Sequence, residues 1–138
     1  PASAKSKGYV FKYKGVSVTM NGAAKKLIKK AGKPSKKTVK KSCAYKGKDR
    51  TYTYKDFQLK TYSKTNNGAE YVSEIRFRSN KAVTKEGIRI GSSLKDVTKK
   101  YGKAKARFGV YTFKKGSRKL QIMLNGNKVS AIRYFASK

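Results

Sequence analysis

Bulky and polar residues alternate in short runs along most of the chain, the period-two pattern of half-buried strands. Tyr9-Val10-Phe11-Lys12-Tyr13, a Lys14-Gly15 turn and Val16-Ser17-Val18 read as extended structure. Alternation returns around Tyr52-Thr53-Tyr54, from Phe57 to Leu59, from Val72 to Phe77, around Tyr111-Thr112-Phe113, from Leu120 to Leu124 and from Val129 to Tyr134. Turn signals separate these runs at Lys55-Asp56, Asn66-Asn67-Gly68, Lys115-Gly116-Ser117 and Asn125-Gly126-Asn127. Twice the period becomes helical. Ala24, Leu27, Ile28 and Ala31 fall at i, i+3, i+4 and i+7, with Lys25, Lys26, Lys29 and Lys30 on the other faces. Asn21 offers a cap there, and Gly32 and Pro34 end the run. Ser93, with Asp96 three residues on, caps a second helix whose stripe is Leu94, Val97 and Tyr101, closed by Gly102.

These pieces recur in order. Gly15 to Val18, the first helix and Lys29 to Lys33 parallel Gly87 to Ile90, the second helix and Lys99 to Lys103. Tyr52-Thr53-Tyr54-Lys55 parallels Tyr111-Thr112-Phe113-Lys114, and Val72 to Phe77 parallels Val129 to Tyr134. The expected fold class is therefore α+β: two pseudo-repeats, each a short helix packed on an antiparallel β-meander, forming a shared sheet. The expected boundaries are 1–8 for a mobile basic lead-in, 9–80 for the first repeat and 81–138 for the second, within one compact domain. Alternation turns Phe57, Leu59, Ile75, Phe77, Leu120, Ile122, Leu124, Ile132 and Tyr134 inward as the floor for both helices. Gly32 and Tyr52 are 20 positions apart against 9 for Gly102 and Tyr111, and the excess reads as a lysine-rich loop carrying Cys43.

Charge changes the picture. Lys and Arg number 37 against 6 Asp and Glu, a formal net charge of +31. With a mean hydropathy of −0.77, such a composition alone points towards disorder, and the interleaved strand pattern of 10 Tyr and 6 Phe overrules it. A folded core under a lysine coat implies an anionic partner. No apolar run reaches 18 residues, so no transmembrane segment is expected. A start at Pro1 fits a processed mature form, secreted or held at the cell surface.

Conventional catalytic chemistry finds little purchase. There are 0 His, which removes Ser-His-Asp and Cys-His arrangements and histidine metal sites. The acids Asp49, Asp56, Glu70, Glu74, Glu86 and Asp96 scatter over turns, strands and a helix cap, without a glycosidase-like pair. Neither a Walker-type loop nor a dinucleotide glycine fingerprint occurs, and no cofactor is expected. Cys43 reads as a packing residue rather than a thiolate nucleophile, because no histidine can serve it as base. The chain is read as a non-enzyme.

Two cationic surfaces remain as candidates. Residues 25–48 hold eleven Lys and no acid, which gives an anion-binding helix and loop of Lys25, Lys26, Lys29, Lys30, Lys33, Lys36, Lys37, Lys40 and Lys41. With Ile75, Phe77, Ile132 and Tyr134 inward, alternation sends Arg76, Arg78 and Arg133 outward, and Lys60 and Tyr62 join them on a sheet face able to hold phosphates or stack on bases and sugars.

Gly87-Ile88-Arg89-Ile90-Gly91-Ser92-Ser93-Leu94-Lys95-Asp96-Val97 ending in Tyr101-Gly102, and Ser42-Cys43-Ala44-Tyr45-Lys46-Gly47-Lys48-Asp49 followed by Tyr52-Thr53-Tyr54, resemble motifs of small exported or lipoprotein domains of Gram-positive bacteria. Their tandem arrangement is similar to β-lactamase inhibitory proteins, in which two helix-plus-sheet units present a concave face to a partner. Those relatives are usually acidic where this chain has Lys, so it reads as an unusually basic member or a recharged variant. The functions that follow are a non-catalytic module binding anionic polymers or surfaces (envelope polymers, acidic glycans, acidic headgroups), a sequence-independent nucleic-acid-binding protein, or a protein–protein inhibitor using the concave face. Only 7 of the 37 basic residues are Arg, which favours diffuse point-charge attraction over bidentate readout.

Overall fold

The computed structural model describes residues 9–42, 45–104 and 106–136; the expected lead-in at 1–8 and Cys43 lie outside them. β1 (Val10–Tyr13) and β2 (Val16–Thr19) form a separate hairpin. Lys14 and Gly15 close it with φ of 47° and 85°, the positive pair that a two-residue turn of this hand requires. α1 (Lys25–Ala31) follows, then β3 (Lys36–Lys41), β4 (Lys48–Thr53), β5 (Phe57–Ser63) and β6 (Glu70–Phe77). After an irregular stretch come α2 (Leu94–Tyr101), β7 (Ala106–Arg107), β8 (Val110–Lys115), β9 (Arg118–Asn125) and β10 (Lys128–Ala136).

β3 to β10 build one antiparallel sheet in the order β3-β4-β5-β6-β10-β9-β8-β7. Two four-stranded runs meet through β6 and β10, where Arg76 lies opposite Arg133. One face carries the core: Tyr52, Phe57, Leu59, Val72, Ile75, Phe77, Phe113, Leu120, Ile122, Val129, Ile132 and Tyr134 are buried under Phe11 and Val18 of the hairpin, Ala24 and Leu27 of α1 and Val97 of α2. Leu124, expected in the floor, is only partly buried. β6 and β10 each contain a bulge, at Ser73 and Ser130, where the register slips by one residue. The extra residue lets Val72 and Ile75, and likewise Val129 and Ile132, bury on the same face despite their spacing of three.

The α+β expectation of two helix-plus-meander repeats is corrected: the chain is mostly β, with about half of the described residues in strands and 12% in helices. Two physical reasons account for it. The helices have 7 and 8 residues, too few to form a layer of their own, and the segment read as a lysine-rich loop is the edge strand β3, paired with β4 over its whole length. The match of Gly87 to Ile90 with β2 also fails, because Gly87 and Gly91 at φ 96° and 100° bracket a turn-rich stretch rather than a strand. α1 starts one turn later than Asn21 suggests, with Ala24 at the cap position and no side-chain cap. Ser93 does cap α2, its Oγ accepting from the Asp96 N–H at 3.1 Å.

Candidate binding face

The sheet face opposite the helices carries the cations, and the register places them. Leu59 turns inward, so Lys60 turns outward; its partners across β4 and β3, Thr51 and Thr38, share that side. It follows that Lys36 and Lys40 of β3 also point outward, while Lys37, Val39 and Lys41 flank the inner rim. The Lys37 ammonium lies 5.1 Å from the ring centroid of Tyr52, an inner residue, as this assignment requires.

Following the cross-strand pairs gives two transverse rows. The first runs Lys36, Thr53, Gln58, Arg76, Arg133, Gln121, Thr112 over seven strands. It holds three cations, four neutral hydrogen-bonding side chains and neither an acid nor an apolar residue. With strands about 4.8 Å apart it is roughly 29 Å long. The second runs Thr38, Thr51, Lys60, Glu74, Phe135, Lys119, Lys114. Phe135 is roofed by cations, the Arg133 guanidinium at 4.1 Å and the Lys119 ammonium at 5.7 Å from its centroid.

Glu74 sits among these cations, and Asp49 shares the face opposite Lys40. Its side chain is 12% exposed, and Arg133 Nη2, Arg76 Nη2 and Lys60 Nζ lie 3.0, 3.2 and 4.0 Å from its carboxylate oxygens. Arg133 also donates to Gln121 Oε1 at 3.4 Å, while its Nε is buried without a hydrogen-bond partner among the described residues. One carboxylate thus holds Arg133 and Arg76 side by side across the seam, where their mutual repulsion would otherwise splay them. The pair keeps a net positive charge facing solvent.

Beside this seam an open cavity of about 590 Å³ is lined by Lys40, Lys60, Tyr62, Ser73, Glu74 and Arg133, among others. At its margin Tyr45 stacks on Tyr62 at 5.1 Å, Tyr62 meets Tyr71 at 5.6 Å, and the Lys64 ammonium lies within 6.0 Å of both Tyr45 and Tyr71. Burial first, then the neighbouring Tyr45 and Tyr71 hydroxyls, raises the Tyr62 pKa, so the ring stays neutral and donates its hydroxyl to Asn21 Oδ1 at 3.0 Å.

Lys60, Tyr62, Arg76 and Arg133 are thus brought together as alternation required, and Lys36 and Lys40 join them from the other candidate set. Arg78 does not belong: it follows the end of β6, and its Nη1 donates to the Tyr54 carbonyl, pinning the β4–β5 connection. Lys25, Lys26, Lys29 and Lys30 are exposed on α1, which packs Leu27 into the opposite side of the sheet, and Lys33 is exposed in the link to β3. Sequence reasoning missed Lys114 and Lys119, although the alternation that placed Arg133 reaches them once Phe113 and Leu120 are taken as inward. No helix among the described residues is long and apolar enough to cross a membrane. Comparison with known proteins finds no family model, no curated protein and no solved structure that matches the chain.

Proposed function

We propose that the protein is a non-catalytic cationic module, acting outside the cell or at its surface, that lays anionic polymers or surfaces across the outer face of its sheet. The observation that carries the reading is the row from Lys36 through Arg76 and Arg133 to Thr112, a band of donors and cations free of acids over seven strands. Lys and Arg supply charge, and Thr and Gln supply hydrogen bonds to phosphate, sulfate or carboxylate oxygens with little demand on sequence. An inhibitor face needs desolvated aromatic or aliphatic anchors at its centre. Here the centre is Arg76, Arg133 and a carboxylate, and Phe135 lies beneath a guanidinium, so the polyanion reading fits better. The absence of His and the binding of Glu74 by three cations support a non-catalytic role.

The test is a binding panel of inorganic polyphosphate, a sulfated glycan, single- and double-stranded DNA and anionic vesicles over a salt series. Log affinity falls linearly with log salt and differs little between base sequences. Binding that persists unchanged at about 0.5 M salt, or that separates single-base variants, contradicts the reading.

A further inference from the structure

The β7–β8 hairpin carries an apolar side chain where neither packing nor turn chemistry calls for one. Phe108 is 98% exposed and has φ 55°, and Gly109 follows at φ 77°. Two positive φ values make this turn favour Asn, Asp or Gly in its first position, so Phe108 is held against the preference of its backbone. The Leu124 N–H donates to the Gly109 carbonyl at 3.1 Å, tying the tip to β9. Apolar character continues down the outer side of the same sheet end, where Val110 pairs with Met123, itself 42% exposed.

Cations flank this tip. Exposed Arg107 abuts the tip, and exposed Lys128 sits opposite Asn125 at the same end of β9. An apolar point flanked by Arg107 and Lys128 matches the headgroup–acyl boundary of a bilayer rich in acidic lipids, where the ring leaves water while the cations stay among the headgroups. A base-stacking platform would instead set the ring flat on the sheet beside a groove. A partner protein's pocket would need acidic groups opposite both Arg107 and Lys128.

We propose that the Phe108 hairpin is an anchor that inserts into the interface of an anionic lipid bilayer. The inference deepens the polyanion reading, on which it rests, by adding an apolar contribution that a soluble polymer cannot offer.

The experiment uses the full chain with phosphatidylcholine–phosphatidylglycerol vesicles, pure phosphatidylcholine vesicles, inorganic polyphosphate and a single-stranded oligonucleotide. Phe108→Ala weakens binding to the phosphatidylglycerol vesicles roughly tenfold or more, while polyphosphate binding stays within about twofold. Phe108→Asn, which suits the turn, shows the same vesicle loss and so separates anchoring from damage to the hairpin. The chain has no Trp, so Phe108→Trp is a unique reporter: its emission shifts to the blue on phosphatidylglycerol vesicles and is quenched by brominated acyl chains. Equal vesicle binding by wild type, Phe108→Ala and Phe108→Asn overturns the anchor. So does an emission shift on the oligonucleotide but not on vesicles, which assigns the ring to base stacking. A wild-type chain that binds polyphosphate and no vesicle overturns the anchor alone; one that binds neither overturns the polyanion reading with it.

Discussion

Glu74 organises the outer face of the sheet while opposing the function proposed for it. Its carboxylate holds Arg133, Arg76 and Lys60 within 4.0 Å, and so lowers the field that the three cations present to a polyanion. Glu74→Gln removes that anion but keeps an oxygen for Arg133. The expected result is a fold weakened by about 1–3 kcal/mol in denaturant unfolding and a tighter grip on polyphosphate at low salt. Unchanged stability together with unchanged affinity would mean that the carboxylate neither braces nor screens the arginines. At the hairpin tip the sign reverses: Phe108→Asn relieves a positive-φ Phe and should stabilise the chain by about 0.5–1 kcal/mol. A lower melting temperature would show that Phe108 packs on the body of the protein after all.

At the scale of elements, the hairpins and the inward residues were legible because their signals are local. Lys14-Gly15, Gly116-Ser117 and Gly126-Asn127 join the strands they separate, and Ile75 and Ile132 are fully buried. β3 was not legible. Lys36-Lys37-Thr38-Val39-Lys40-Lys41 has one apolar residue and no alternation, and all six residues are exposed; its extended form comes from pairing along β4, a long-range cause that no window of sequence contains. The candidate binding face divides in the same way. Period two is enough to turn Lys60, Arg76 and Arg133 outward, but setting them in one row with Lys36 and Thr112 requires the register of seven strands.

Elements are also tied together by tyrosine hydroxyls. The Tyr101 hydroxyl lies 2.6 Å from Glu86 Oε1 and 2.8 Å from Thr84 Oγ1, and Tyr52 donates to Glu70 Oε1 at 2.7 Å. Burial first, then the adjacent carboxylate, raises both pKa values, and burial does the same for Tyr134. Groups whose pKa is raised on folding contribute stability that is complete below the unfolded tyrosine pKa near 10 and is lost as pH climbs above it. Other effects of alkaline pH are shared by both chains, so the comparison of interest is between them. Tyr101→Phe should lose about 1 kcal/mol at neutral pH yet fall less steeply than wild type above pH 10 in unfolding titrations. Parallel curves for the two chains would show that Tyr101 does not contribute to alkaline unfolding.

For the whole molecule, 37 basic residues against 6 acidic ones make folding a contest between one buried core and the repulsion of its coat. Salt or a bound polyanion should therefore raise the melting temperature, the polyanion at far lower concentration. Net charge alone would give the same attraction wherever the lysines lie; the proposed reading instead assigns it to the rows on the outer face. The measurement that separates these is the salt slope of duplex DNA binding for two triple variants of equal charge: Lys36→Ala, Arg76→Ala and Lys114→Ala on the outer face, and Lys25→Ala, Lys26→Ala and Lys29→Ala on α1. With about six outer-face cations engaged, the wild-type slope of log affinity on log salt is roughly −5. The outer-face variant should flatten it to roughly −3 while the α1 variant leaves it in place. Equal flattening by both variants, or a greater effect from α1, would contradict the assignment of binding to the outer face of the sheet.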